Sequence, residues 1–250
     1  MGIMTAFRAF ILFIASTGVA RADNVNVAVA SNFLKPLTRI CAMYEQSTGH
    51  KCVVSAGASG KLYAQITNGA PFQVFFSADK DKVDGLIKVK LAEPASKFIY
   101  ATGKLALFST KAEYEGKLEE ALKKGSYTHL AVADPKLAPY GSAAISAMEK
   151  MGILDAARPR LVTGENITQT YQFAAIGAAE MGFVALSQLK GSENPGGLVW
   201  IVPQTLYTPI EQWAALMSSA KASKAAIGFL EFVKSPGARK IIEDYGYGTR

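Results

Sequence analysis

The chain has 250 residues, half of them apolar, and 27 Lys and Arg against 20 Asp and Glu, a formal charge of +7. That apolar fraction excludes a disordered chain, and the length suffices for a sizeable core in one large or two modest domains. The basic excess is scattered and no basic run is interleaved with aromatics, which argues against nucleic acid as the partner.

The chain opens MGIMTAFRAFILFIASTGVARAD, with Arg8 ahead of an apolar run from Ala9 to Ile14 and an A-x-A pattern at Ala20-Arg21-Ala22. This reads as a secretory signal peptide over residues 1–22, cleaved after Ala22. The run is too short for a permanent bilayer span, and no Cys stands at the cleavage point to carry a lipid. The expected product is exported and soluble, about 228 residues long, with a charge of about +5 once Arg8 and Arg21 are removed.

Val27 to Ala30 reads as a buried strand that hands over to a helix at Ser31-Asn32. Phe33, Leu37, Ile40 and Tyr44 recur at helical spacing, Pro36 falls in the tolerant first turn, and Gly49 ends the helix. Cys52 to Val54 is a short strand. AGASGKLYAQITNGAPF is a second handover, with Ser59 the expected N-cap, Leu62 and Ile66 the inner face, and Asn68-Gly69 the stop. Val74 to Phe76 is a buried strand leading into a helix capped by Asp79. Strands follow at Lys104 to Ser109 and Leu130 to Ala133, and Gly141 opens a helix through Met148. Leu161-Val162 is a short strand, with a helix from about Ile167. EMGFVAL and GLVWIV are two more buried strands. Two amphipathic helices close the chain, one capped by Ser223 and running to Lys234, one from Pro236 to about Tyr245. Strand followed by helix, repeated with short connections, predicts an α/β protein with mostly parallel sheets.

In an exported chain the two cysteines, Cys41 and Cys52, suggest a disulfide; the alternative is two buried free thiols.

Four handovers share a chemical character: Ser31-Asn32, Ala58-Ser59-Gly60, Pro139-Tyr140-Gly141 and Asn166-Ile167-Thr168. A helix start leaves backbone N–H groups unpaired at the positive end of a dipole. A Ser or Asn there can simply cap it, or the end can stay open for an anion. In open α/β sheets such starts converge beyond the carboxyl ends of the strands. None of the four puts Lys or Arg at the turn itself, so together they describe a cleft of neutral donors, suited to a desolvated anion with several oxygens.

Catalysis finds little support. A nucleophile needs a base nearby, and the two histidines, His50 and His129, read as surface residues at strand starts. Gly57 to Lys61 has the wrong spacing for a phosphate-binding Walker loop, and Leu62 stands where Ser or Thr is required. The cysteines lack metal-ligand spacing, and the close pair Tyr245 and Tyr247 falls in the tail after the last helix, a poor start for an iron site. A binding protein is expected, not an enzyme.

The exported start, VAVASNF, SAGASGKLYAQITNGAPFQVFFSAD, LAVADPKLAPYG and EMGFVALSQL resemble the periplasmic molybdate-binding proteins of bacterial ABC transporters, from about Asn24 to the C-terminus. The resemblance implies a two-lobed type II periplasmic-binding-protein fold with two crossings, lobe 1 holding residues 23–102 plus 206–250 and lobe 2 residues 103–205. It implies a periplasmic, monomeric receptor for molybdate and tungstate, without cofactor, that serves a membrane permease. The ligands it implies are Ser31 and Ser59 through hydroxyl and backbone groups, Tyr140 and Ile167 through backbone N–H, and Asn32 as an additional ligand. One departure is visible: where many members carry a Tyr in the motif matching MGFVALS, this chain has Ala185. The competing reading is a receptor for sulfate or another tetrahedral oxyanion.

Overall fold

A computed structural model describes residues 22–190 and 196–249; the expected signal peptide lies outside them, apart from Ala22. In chain order the strands and helices are β1 (Asn24–Ala30), α1 (Leu34–Thr48), β2 (Lys51–Gly57), α2 (Ser59–Thr67), β3 (Val74–Ser77), α3 (Lys80–Lys88), β4 (Phe98–Gly103), β5 (Leu105–Ser109), α4 (Leu118–Lys124), β6 (Leu130–Ala133), α5 (Pro139–Lys150), α6 (Leu154–Ala157), β7 (Leu161–Gly164), α7 (Ile167–Ala175), β8 (Met181–Ala185), α8 (Leu186–Lys190), β9 (Leu198–Ile201), β10 (Ile210–Leu216), α9 (Lys224–Phe232) and α10 (Pro236–Asp244).

The strands form two five-stranded sheets with the same plan. One runs β2-β1-β3-β10-β4 and the other β7-β6-β8-β5-β9. In each, the second strand is parallel to both its neighbours, while the fourth is antiparallel to both of its own. The fourth strand is the one that has just arrived from the other sheet. The chain crosses at Gly103-Lys104 between β4 and β5, and returns through residues 202–209 between β9 and β10. The sheets are therefore mixed, with four parallel and four antiparallel pairings among the described residues, not mostly parallel as the sequence pattern predicts. The difference comes from the two crossing strands, whose direction is set by tertiary connection and carries no local signal.

Each sheet is covered on both faces. Phe33, Leu37, Ile40, Phe229 and Ile242, from the entry to α1 and from α1, α9 and α10, pack on one side of the first sheet; Leu62, Ile66, Val83 and Leu86 from α2 and α3 pack on the other. The second sheet is buried between α4, α5 and α6 on one face and α7 and α8 on the other. Central strands covered on two faces need apolar residues at every position, which is why β3, β5, β6 and β8 are buried throughout.

Two caps, Asp79 and Ser223, fall where the sequence places them, and Asn166 adds a third. Asp79 accepts from the Lys82 N–H, Ser223 from Ala226 and Asn166 from Thr168 and Gln169. Asp79→Ala should cost about 1 kcal/mol in urea denaturation, the usual worth of such a cap. Ser59 is not a cap: Ala58 holds that position and Ser59 is the first residue of α2. Helix α5 begins at Pro139, two residues ahead of Gly141.

The expected disulfide is absent. Cys41 and Cys52 are free thiols, one on the buried face of α1 and the other on the inward face of β2. The neighbouring Cys52 thiol, with burial, pushes the Cys41 thiol up. A protonated thiol is a poor nucleophile, so proximity alone does not make the bond.

Candidate oxyanion site

Four helix starts meet between the two sheets. Residues Ser31, Asn32, Ser59, Tyr140 and Ile167 line one small cavity, together with Ala30, Gly57, Ala58, Ala78, Ala138 and Pro139. The empty space is about 200 Å³ including its mouth. Among the described residues, no charged side chain lines it. A wider cleft, which shares Ala78, Ala138 and Pro139 with it, opens alongside between the starts of α3 and α5.

The local chain path explains the convergence. Strands β1, β2, β6 and β7 all run parallel within their own sheets, and each ends in a turn into a helix. Ser31 and Asn32 open a short 3-10 turn, Ser31–Phe33, ahead of α1. Ser59 opens α2, Ile167 opens α7, and Tyr140 is second in α5 behind Pro139. Pro139 has no N–H to satisfy, so Tyr140 carries the first donor of its helix.

These five N–H groups lie in first helical turns, where no intrahelical acceptor exists, and among the described residues no turn or cap bond takes them. Neighbouring donors are taken. Asn166 Oδ1 accepts from Thr168 N at 2.9 Å and Gln169 N at 3.1 Å, which leaves Ile167 N. Gly60 N donates across the cleft to Leu137 O at 3.0 Å. Ser59 Oγ accepts the Ala78 N–H at 2.9 Å, so its own proton remains to donate. Ser31 is half-buried and its hydroxyl does not cap the turn it starts.

Asn32 plays a different part from the other four. Its side-chain Nδ2 donates to Gln212 Oε1 at 2.8 Å and to Tyr247 Oη at 2.9 Å. With both amide protons engaged behind the cavity, what Asn32 offers the cavity is its backbone N–H. Tyr140 likewise turns its ring inward, and its hydroxyl accepts from the fully buried Gln212 Nε2 at 3.1 Å. Gln212 Oε1 also accepts from Tyr100 Oη at 2.8 Å.

A buried polar network of Asn32, Tyr100, Tyr140, Ser187, Gln212 and Tyr247 thus stands behind the donors. Burial pushes the Tyr100 and Tyr140 phenols well up and that of Tyr247 up to about 12, so all three are neutral donors and acceptors at physiological pH. Sequence reading missed Gln212, Ser187, Tyr100 and Tyr247. The available signal was a Gln inside the apolar strand IEQWAAL, since a buried polar side chain needs partners.

Ala185, the position of the departure, is fully buried at the end of β8 and does not line the cavity. Its N–H donates to Gln188 Oε1 at 3.0 Å, and Gln188 Nε2 donates to Ile167 O at 3.1 Å. That bracket fixes the first peptide of α7 from behind. At the cleft rim Lys61 Nζ on α2 reaches Glu165 Oε2 before α7 at 2.7 Å, an exposed pair and so worth little. His50 and His129 lie away from the cavity, as a half-buried acceptor of the Asp23 N–H and an exposed neighbour of Glu180.

The bacterial extracellular solute-binding protein family matches residues 25–248. The molybdate-binding protein ModA of Azotobacter vinelandii is 44% identical over 232 residues, 92% of each chain. That of Rhodobacter capsulatus is 47% identical over 231 residues, 92% of this chain and 90% of its own. The solved periplasmic molybdate-binding protein of A. vinelandii superimposes with a TM-score of 0.84 at 38% identity, over 90% of this chain and 99% of that one. The chain belongs to the family of bacterial extracellular solute-binding proteins and is similar along nearly its whole length to molybdate-binding members of it.

Proposed function

We propose that the protein captures molybdate outside the cytoplasm and hands it to the permease of an ABC transporter. It works as a periplasmic monomer whose mature chain starts at Asp23, it binds tungstate as it binds molybdate, and it turns nothing over. The observation that carries this reading is the convergence on one cavity of two hydroxyls and five backbone N–H groups that, among the described residues, meet no protein acceptor and no charged side chain. Fixed dipoles of this kind stabilise a desolvated dianion without a buried counter-charge. The high identity to proteins named for molybdate binding supports the choice of anion.

In this reading lobe 1 comprises residues 23–102 plus 206–250 and lobe 2 residues 103–205, and the ligands are Ser31, Asn32, Ser59, Tyr140 and Ile167. The anion favours the closed form because it touches donors of both lobes at once.

Titration calorimetry with molybdate, tungstate, sulfate and phosphate tests it. Molybdate and tungstate should bind alike. The smaller sulfate leaves donors unpaired at about 1–3 kcal/mol each, so two stranded donors weaken it by roughly two orders of magnitude or more. Phosphate carries a proton at neutral pH and meets donors where that proton needs an acceptor. Sulfate bound as tightly as molybdate overturns the assignment.

A further inference from the structure

The C-terminal tail reaches the back of the cavity. After α10 the chain turns at Gly246, whose φ of +83° lies in the left-handed region that favours glycine. Gly248 then pairs with Thr102 on the strand that leads into the first crossing, Thr102 N to Gly248 O at 2.8 Å and Gly248 N to Thr102 O at 2.9 Å. Between these anchors Tyr247 is buried and points inward. Its hydroxyl donates to Asn32 O at 2.8 Å, accepts from Asn32 Nδ2 at 2.9 Å, and lies 2.9 Å from Ser187 Oγ. Ser187 Oγ itself donates to Asn32 O at 3.0 Å.

Asn32 follows β1 in the first sheet, and Ser187 lies on α8, directly after β8 of the second. One phenol therefore holds a single cavity residue by both its carbonyl and its side-chain amide, and ties that residue to the opposite lobe. Burial keeps the phenol protonated across the physiological range.

We propose that Tyr247 is a positioning residue for the bound anion: its hydroxyl fixes Asn32 against Ser187 across the lobe boundary, so that the Asn32 N–H is aimed into the cavity only when the lobes are shut. The inference rests on the oxyanion-binding reading above. It makes the tail a clasp of the closed form, one that releases when the lobes part and Ser187 withdraws. Removing the hydroxyl therefore loosens closure and speeds release, while the path of the anion into the open cleft is untouched.

The test is molybdate binding to the full mature protein by calorimetry and stopped-flow, for wild type, Tyr247→Phe, Ser187→Ala and the double variant. Tyr247→Phe should raise Kd roughly 10- to 100-fold, almost all of it in the dissociation rate. Ser187→Ala, which keeps the tail intact, should give a similar loss, and the double variant should be hardly worse than either single one. Tyr44→Phe is the control: it deletes a buried tyrosine hydroxyl bonded to Ala225 O at 2.8 Å, between α1 and α9 and outside the cavity lining. It should lower Tm and leave Kd and both rates unchanged. Wild type that binds molybdate beside a Tyr247→Phe or Ser187→Ala variant with unchanged dissociation overturns the clasp alone. Additive losses in the double variant overturn it too, because they show two separate structural roles. Wild type that binds no molybdate overturns the oxyanion reading and the clasp with it.

Discussion

Ser59→Ala should weaken molybdate binding roughly 10- to 150-fold, the loss of one hydrogen bond to a charged partner at about 1.5–3 kcal/mol. The structure adds a second consequence. Ser59 Oγ accepts the buried Ala78 N–H at 2.9 Å, so the alanine also strands that donor. An unpaired buried N–H costs about 1–3 kcal/mol, which should appear in urea denaturation of the protein without ligand. The two effects separate cleanly. Calorimetry reports the lost anion contact, and denaturation in the absence of molybdate reports the stranded N–H. A variant that is destabilised yet binds molybdate as wild type does would show that the Ser59 hydroxyl faces the protein only, and that the cavity has been misassigned.

Much of this site was legible in the sequence because helix starts are local. Strand-to-helix handovers announce themselves through apolar runs followed by Ser, Asn or Gly, and the backbone N–H groups they expose need no particular side chain. The four handovers could be located from local pattern alone, the resemblance to the molybdate-binding proteins singled out Ser31, Asn32, Ser59, Tyr140 and Ile167 within them, and the structure brings all five to one cavity. Asp79 and Ser223 were legible as caps for the same reason.

What stayed hidden depends on distant partners. Strand β10 contains Glu211 and Gln212, which break the apolar pattern of a buried strand; Gln212 is there because Asn32, Tyr100 and Tyr140 meet its amide from far along the chain. Tyr247 looked like a tail residue because nothing within the last helix says that the tail folds back onto Thr102. Ser59 looked like a cap because its acceptor role toward Ala78 is a contact between a helix and the end of another strand. Cys41 and Cys52 are neighbours in the fold, but an even cysteine count in an exported chain does not say whether two thiols are joined.

The larger loss is expected at a residue with no side chain at all. Gly141 lies in the first turn of α5, directly after Tyr140, and that turn is seated on the end of β6. A Cβ at Gly141 would lie 2.2 Å from Ala133 O and 2.8 Å from the Ala133 carbonyl carbon. Both are backbone atoms of a buried central strand, so no flexible group can move aside. Gly141→Ala must therefore lift the start of α5 away from β6, and the Tyr140 N–H moves with it. Losing that donor together with the field of the helix start should weaken molybdate binding roughly 100-fold or more. The overpacked contact should also cost about 1–3 kcal/mol of stability. Gly237→Ala makes the comparison, because it too adds a methyl group to the first turn of a helix, in α10. There the nearest atom is Met43 Cε at 3.1 Å, the free end of a side chain on the outer face of α1. It should leave affinity unchanged. If Gly141→Ala binds molybdate as tightly as Gly237→Ala does, the Tyr140 N–H is not a ligand and the second lobe must hold the anion through Ile167 alone.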